Sequence, residues 1–177
     1  MKIRTLLIVN RGEIARRVVR TCSALGIESV VVFTDVDAGL PAVAEADLAV
    51  RLGEGPAHSS YLDGPAVVAA ALRVGAQAIH PGYGFLAENA TFAQSVIDAG
   101  LIWVGPPPSA IDALGDKAAA RHLAASLGVP IVPGFDASQD DADLAQAAED
   151  LGFPVLIKAL AGGGGRGMRR VDSANDF

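Results

Sequence analysis

Apolar positions recur along this chain in two rhythms. Leu6-Leu7-Ile8-Val9, Val30–Phe33, Ala76–Ile79 and Leu101–Val104 are short, nearly continuous apolar runs, the pattern of strands covered on both faces. Between them the spacing changes to that of a helix. Glu13–Leu25 repeats Ile14, Val18, Cys22 and Leu25 at three- to four-residue intervals, which predicts a helix with that stripe inward and Gly26 as its stop. Asp63-Gly64-Pro65 opens a second helix running through Leu72, and Thr91–Ala99 reads as a third. Strands alternating with helices predict an α/β fold, a parallel sheet with helices on both faces.

The rhythm changes after Val104. Pro106-Pro107-Pro108 stiffens the chain. Two alanine-rich helical stretches follow, broken near Gly115, and Gly128-Val129-Pro130 ends them. A second unit is expected from Ile131, with a helix over Asp140–Leu151 whose inner stripe is Leu144, Ala148 and Leu151. Pro154 is acceptable at the head of the next strand, Val155–Lys158, which is apolar enough to be expected buried. The expected organisation is therefore a first domain over 1–105, connecting helices over 106–130 and a second domain beginning at 131.

Composition narrows the function classes. At 177 residues and 51% hydrophobic, the chain can bury one good core and part of another. No apolar run approaches the roughly 18–20 residues of a membrane span. The N-terminus lacks a signal-peptide pattern, and a single cysteine permits no internal disulfide, so a cytoplasmic protein is expected. A net charge of −6 argues against nucleic-acid binding. Cys22 continues the apolar stripe and reads as a core residue rather than a nucleophile.

The densest chemistry lies near the end. Lys158 closes an apolar run, and five of the six residues from Gly162 to Gly167 are glycine. Lacking Cβ atoms, consecutive glycines let backbone N–H groups close around an anion. A flexible linker would be Gly/Ser-rich with polar flanks, whereas this loop lies between Val155-Leu156-Ile157 and Met168-Arg169-Arg170-Val171. Phosphate cradling is favoured. A dinucleotide-binding turn must open a helix, but the residues after Gly167 look like a second strand. The Lys-Ser/Thr of a P-loop is absent. A strand–loop–strand lid over a nucleotide survives, and a lysine preceding the loop is the order of ATP-grasp enzymes. Lysine is scarce: Lys2, Lys117 and Lys158 are the only three. Spacing alone leaves Lys117, in Gly115-Asp116-Lys117, open between a surface cation and a phosphate contact.

Five blocks in order make a stronger signal than any one. Asn10-Arg11-Gly12-Glu13-Ile14-Ala15, His80-Pro81-Gly82-Tyr83-Gly84-Phe85-Leu86 with Glu88-Asn89, Gly105-Pro106-Pro107, Gly115-Asp116-Lys117, and Lys158 with its glycine loop resemble the biotin carboxylase family from end to end. Leu160 departs from the small polar residue usual there, and Asp37-Ala38-Gly39-Leu40-Pro41 is less typical, which leaves the role of that connection open.

The resemblance implies a Rossmann-like pre-ATP-grasp domain followed by the start of an ATP-grasp domain. It implies ATP-dependent ligase chemistry: bicarbonate is activated as carboxyphosphate, and biotin on a carrier protein is carboxylated. Lys117, Lys158, Gly163, Gly164, Gly165, Arg166, Gly167 and Met168 would contact ATP, with Met168 bordering the adenine. Tyr83 and Gly84 would lie near biotin, a reading aided by their place just past a strand's carboxyl end. His80 is expected to serve the turn, and His58 and His122 to be a loop and a helix-surface residue. Arg16, Arg17 and Arg20 form a basic helix face; Arg17 is the candidate for a homodimer interface. A biotin carboxyl carrier protein and a carboxyltransferase subunit are the implied partners. The family's Mg²⁺ carboxylates would follow Phe177, so no catalytic or metal residue is expected within these 177, and the chain alone is expected to be inactive. A carbamoyl-phosphate-synthetase-like ligase and a non-catalytic dimerisation or regulatory module stand as the alternatives.

Overall fold

The computed structural model describes residues 2–159 and 167–177. The chain divides into two compact units, residues 1–112 and 113–177.

The first unit is an open α/β layer structure. In chain order it contains β1 (Thr5–Ile8), α1 (Gly12–Leu25), β2 (Glu28–Thr34), α2 (Pro41–Glu45), β3 (Leu48–Gly53), α3 (Gly64–Arg73), β4 (Ala78–His80), α4 (Ala90–Asp98) and β5 (Ile102–Trp103). The sheet order is β3-β2-β1-β4-β5, and every pairing is parallel. Side chains alternate across a strand, so β1 feeds two cores. Leu7 and Val9 point to the face covered by α3 and α4, where Val67, Ala71, Phe92 and Val96 are buried. Leu6 and Ile8 point to the other face, with Ala15, Val18, Val19 and Cys22 of α1 and Ala42 of α2.

Local signals set several boundaries. The Asp63 side chain caps α3 by accepting from Ala66 N–H at 3.0 Å, and Asn89 caps α4 by accepting from Phe92 N–H at 2.8 Å. Gly26 closes α1 in the left-handed conformation, its N–H bonded back to Ser23 O at 3.2 Å. One expectation needs correction, and one strand goes unread in the sequence. Leu25 is 62% exposed; the inward stripe is Ala15, Val18, Val19 and Cys22, and Leu25, at the last turn, has run past the sheet it would cover. Strand β3 lacks a continuous apolar run because it is an edge strand, half exposed along its length, and periodicity alone misses it.

The second unit contains α6 (Lys117–Ser126), α7 (Asp141–Leu151) and an antiparallel ribbon of β6 (Val155–Lys158) and β7 (Met168–Val171); α5 (Pro108–Gly115) precedes them. The break near Gly115 falls where the Asp116 side chain caps α6. Ala148 is the buried residue of α7, whereas Leu151 is 43% exposed. The expected burial of β6 is also corrected. Its residues alternate between half-buried and exposed, and Leu156 is 47% exposed, because a two-stranded ribbon covers only one face.

Candidate active site: the switch-point loops and the lysine hairpin

The strand order places a topological switch between β1 and β4. From β1 the chain proceeds outward through β2 to β3, then returns to lay β4 on the other side. The helices that follow β1 and β4 pack on opposite faces of the sheet, so the loops leaving these two strands lie side by side at the switch point, where open α/β sheets place the crevice that receives ligands. Asn10-Arg11-Gly12 leaves β1, and Pro81–Phe85 leaves β4.

Asn10, 4% exposed, ties these loops together. Its Nδ2 donates to the carbonyl oxygens of Pro81 and Tyr83, each at 2.8 Å, and its Oδ1 accepts from Arg11 N–H at 3.0 Å. Gly82 permits this approach. Its φ is +69°, and a Cβ there would stand 2.6 Å from Asn10 Nδ2. Gly82 N–H donates to His80 Nδ1 at 3.0 Å, the turn role expected of His80. Burial, and secondarily the charge of Arg17, push the His80 pKa down, which keeps the ring neutral and able to accept. Tyr83, 62% exposed, donates its hydroxyl to Glu13 in the first turn of α1; that bond raises the phenol pKa.

A second cluster closes the same edge. Asp37, buried in the turn after β2, accepts from Tyr61 Oη at 2.8 Å, Thr34 Oγ1 at 3.0 Å and Arg11 at 3.3 Å. Burial alone would push its carboxyl pKa up; the three donors together hold it below the usual carboxylate value. Burial and this bond push the Tyr61 pKa up to about 12. The Tyr61 ring stacks on Phe85 with centroids 5.3 Å apart, and the Arg11 guanidinium lies 5.7 and 5.6 Å from the two ring centres. Phe85 has φ +43°, a backbone state that costs a bulky residue roughly 1–3 kcal/mol and persists only where its surroundings enforce it.

Arg17 is exposed on α1 and lines a groove of ≈ 550 Å³ with Glu13, Arg16, Arg20, Thr21 and Leu25. The face is less basic than its sequence suggests, because Glu45 of α2 pairs with Arg16 and, at 3.5 Å, with Arg20.

In the second unit, Lys117 is the first residue of α6, just after Asp116, whose side chain accepts from Ala119 N–H at 2.8 Å. Lys158 is exposed at the end of β6 and opposite Met168. The ribbon extends by one bond, Ala159 N–H to Gly167 O at 2.8 Å. Gly167, at φ +70°, sits so close that a Cβ would stand 2.8 Å from the Ala159 Cβ. Met168 is 48% exposed. Gly163, Gly164, Gly165 and Arg166 lie outside the described residues. The expected strand–loop–strand topology is present, with an ammonium at the mouth of the loop. Among the described residues no group of His, Cys, Asp or Glu is placed to hold a metal ion, and no helix is long and apolar enough to cross a membrane.

Asn10 and Arg11 stand in the first sequence block with no role that the pattern assigns, and Tyr61 falls in none of the blocks. An Asn-Arg-Gly directly after an apolar strand was a signal for the first two; Tyr61 carries no local signal, since its partners are distant in sequence.

Comparison with known proteins agrees with this layout. Residues 2–111 match the family described as "Biotin carboxylase, N-terminal domain", and residues 116–177 match "Carbamoyl-phosphate synthase L chain, ATP binding domain". The chain is 52% identical to the mitochondrial methylcrotonoyl-CoA carboxylase subunit alpha of Oryza sativa subsp. japonica, over 99% of this chain and 24% of that one. It is 47% identical to the biotin carboxylase of Nostoc sp., over 100% of this chain and 40% of that one. Among solved structures, the biotin carboxylase domain dimer of Hydrogenobacter thermophilus 2-oxoglutarate carboxylase, in complex with MgADP, ADP and bicarbonate, superposes with a TM-score of 0.92 at 42% identity, covering 99% of this chain and 39% of that one. The Campylobacter jejuni biotin carboxylase with a β,γ-ATP ligand gives 0.92 at 38% identity, covering 99% and 40%. The chain thus spans 24% to 40% of these four relatives. With its first unit matched throughout and its parallel sheet and lysine hairpin in place, the chain belongs to the biotin carboxylase family.

Proposed function

We propose that this chain supplies the N-terminal part of an ATP-dependent biotin carboxylase, with part of its ATP site. The observation that carries the reading is the β6–β7 ribbon, which sets Lys158 opposite Met168 and closes on Gly167. In the proposed reaction the γ-phosphoryl of ATP passes to a bicarbonate oxygen with release of ADP. The resulting carboxyphosphate gives up its carboxyl group to N1 of biotin on a carrier protein as phosphate departs and the N1 proton is lost. Phosphoryl transfer asks a protein mainly for positioning and charge stabilisation. Lys117 and Lys158 neutralise phosphate oxygens, Gly163, Gly164, Gly165, Arg166 and Gly167 form the lid, and Met168 borders the adenine. Tyr83 and Gly84 receive the ureido ring, with Tyr83 held by Glu13 on one side and through its carbonyl by Asn10 on the other. Mg²⁺, when bound with ATP, would supply charge stabilisation to the phosphates; among the described residues no ligand set for it is gathered.

Arg17 belongs to a homodimer interface in this reading, supported by its exposure on α1 and by the dimer in the Hydrogenobacter domain structure. The biotin carboxyl carrier and a carboxyltransferase subunit complete the assembly. The single cysteine supports a cytoplasmic setting, although several relatives are mitochondrial or chloroplastic. The carbamoyl-phosphate-type alternative is weakened by the biotin carboxylase match over 2–111.

A chimaera tests the proposal. The chain replaces the matching segment of the Nostoc biotin carboxylase, and biotin-dependent release of phosphate from ATP with bicarbonate is measured. Activity is expected, with Lys158→Ala reducing it about a hundredfold or more, in the range of a lost transition-state donor. A folded chimaera without biotin-dependent turnover, or one indifferent to Lys158→Ala, would sink the reading.

A further inference from the structure

We infer that Asp37 is a positioning residue for the Gly82–Phe85 loop, acting through Tyr61 and Arg11 to hold Phe85, and hence Tyr83, in place. Four connections meet at this edge of the sheet, and Asp37 is the one group that touches three of them. Thr34 closes β2 and Asp37 follows it, Arg11 follows β1, and Tyr61 precedes α3. The fourth connection, after β4, is reached by the rings: Tyr61 lies flat on Phe85, 7° from parallel, and Arg11 covers both.

The anchor is itself fixed. The turn that carries Asp37 is held at its first residue by Arg51, which donates to both oxygens of Asp35 at 2.6 and 2.7 Å. The register of β2 on β3 shifts between Phe33 and Thr34, immediately before it. The need for an anchor is also visible. Gly84 and Phe85 are consecutive residues at positive φ, +62° and +43°, and phenylalanine does not hold that state unaided. Asn10 secures the front of the loop through two carbonyls. The back of the loop is secured by the stack that Asp37 orients. This gives a role to the 37–41 connection.

The loop's ligand, the biotin ring, rests on the function proposed above; the positioning does not, and the two are tested apart. Native-state hydrogen exchange on the 177-residue chain follows Gly82 N–H, bonded to His80, and Ala87 N–H, bonded to Gly84 O at 2.8 Å. Gln77 and Ile102 N–H, paired at the opposite end of the sheet, are the controls. Asp37→Ala and Arg11→Lys should speed exchange at Gly82 and Ala87 about tenfold while the controls stay within about twofold. Tyr61→Phe, which loses one oxygen and keeps its ring, should give a smaller acceleration at the same amides and stands in if Asp37→Ala does not fold. Unchanged exchange at Gly82 and Ala87, or equal acceleration at Gln77 and Ile102, would overturn the positioning role. In the chimaera, Asp37→Asn should raise the KM for free biotin several-fold with the KM for ATP unmoved. Local acceleration with an unmoved biotin KM upholds the positioning and removes biotin from this loop.

Discussion

Gly82→Ala perturbs the crevice through one methyl group, and its cost can be worked from the coordinates. At φ +69° the alanine backbone loses about 1–2 kcal/mol. The new Cβ would stand 2.6 Å from Asn10 Nδ2 and 3.0 Å from its Cβ and Cγ. Asn10 is buried on a short side chain, so it cannot swing clear without leaving the carbonyls of Pro81 and Tyr83. Two hydrogen bonds at about 0.5–1.5 kcal/mol each bring the total to roughly 2–5 kcal/mol. Asn10→Ala alone forfeits the same two bonds, about 1–3 kcal/mol. The double variant has no Nδ2 or Cγ to displace and retains only the 3.0 Å Cβ contact, which a small shift relieves. Its cost should fall short of the sum of the singles by about 1–3 kcal/mol, as expected for residues in contact. Trp103, the only tryptophan, packs against the first unit's core, so its fluorescence in urea reports that unit alone. Additivity within about 0.5 kcal/mol, or a Gly82→Ala cost below about 1 kcal/mol, would refute the close-approach reasoning.

Three further outcomes follow from the same structure. Asp63→Ala and Asn89→Ala each remove one helix cap and should lower stability by about 1 kcal/mol in the Trp103 urea assay; no shift in midpoint would mean the caps are dispensable. Cys22 is buried, and burial first, then the charge of Asp47, pushes its thiol pKa up, so labelling by a disulfide reagent should track urea unfolding; rapid stoichiometric labelling of the native chain would contradict its place in the core. The folded pKa of Asp37 is depressed, so its contribution is present above the unfolded value of about 3.9 and is lost as pH falls through the folded value. Asp37→Asn should therefore flatten the stability curve below about pH 4, and an unchanged acid limb would count against the net effect of its donors.

Much of the architecture was legible because it is written in neighbouring residues. The helix over 13–25 and the strands at 6–9 and 30–33 follow from spacings within a dozen positions, and the structure displaces their ends by one or two residues. Asp63 and Asn89 cap their helices through bonds three residues long. The strand-like runs on either side of the glycines foretold a strand–loop–strand hairpin, because such a ribbon pairs locally.

What the sequence could not decide depends on where the sheet ends and which strands lie side by side. Leu25 and Leu151 continue their helical stripes, but there is nothing left for them to cover. Strand β3 lacks an apolar run because an edge position asks less burial of it. Tyr83 meets Glu13 across 70 residues, and Tyr61 meets Asp37 across 24. No local pattern predicts these meetings; they exist because β4 lies on one side of β1 and β2 on the other, which brings the loops at their carboxyl ends together. Sequence by itself determined most of the elements, the family resemblance and the kind of chemistry. Only the tertiary structure decided that a buried asparagine and a buried aspartate hold the loop that carries Tyr83, since side chains distant in the chain become partners only when the sheet fixes their neighbours.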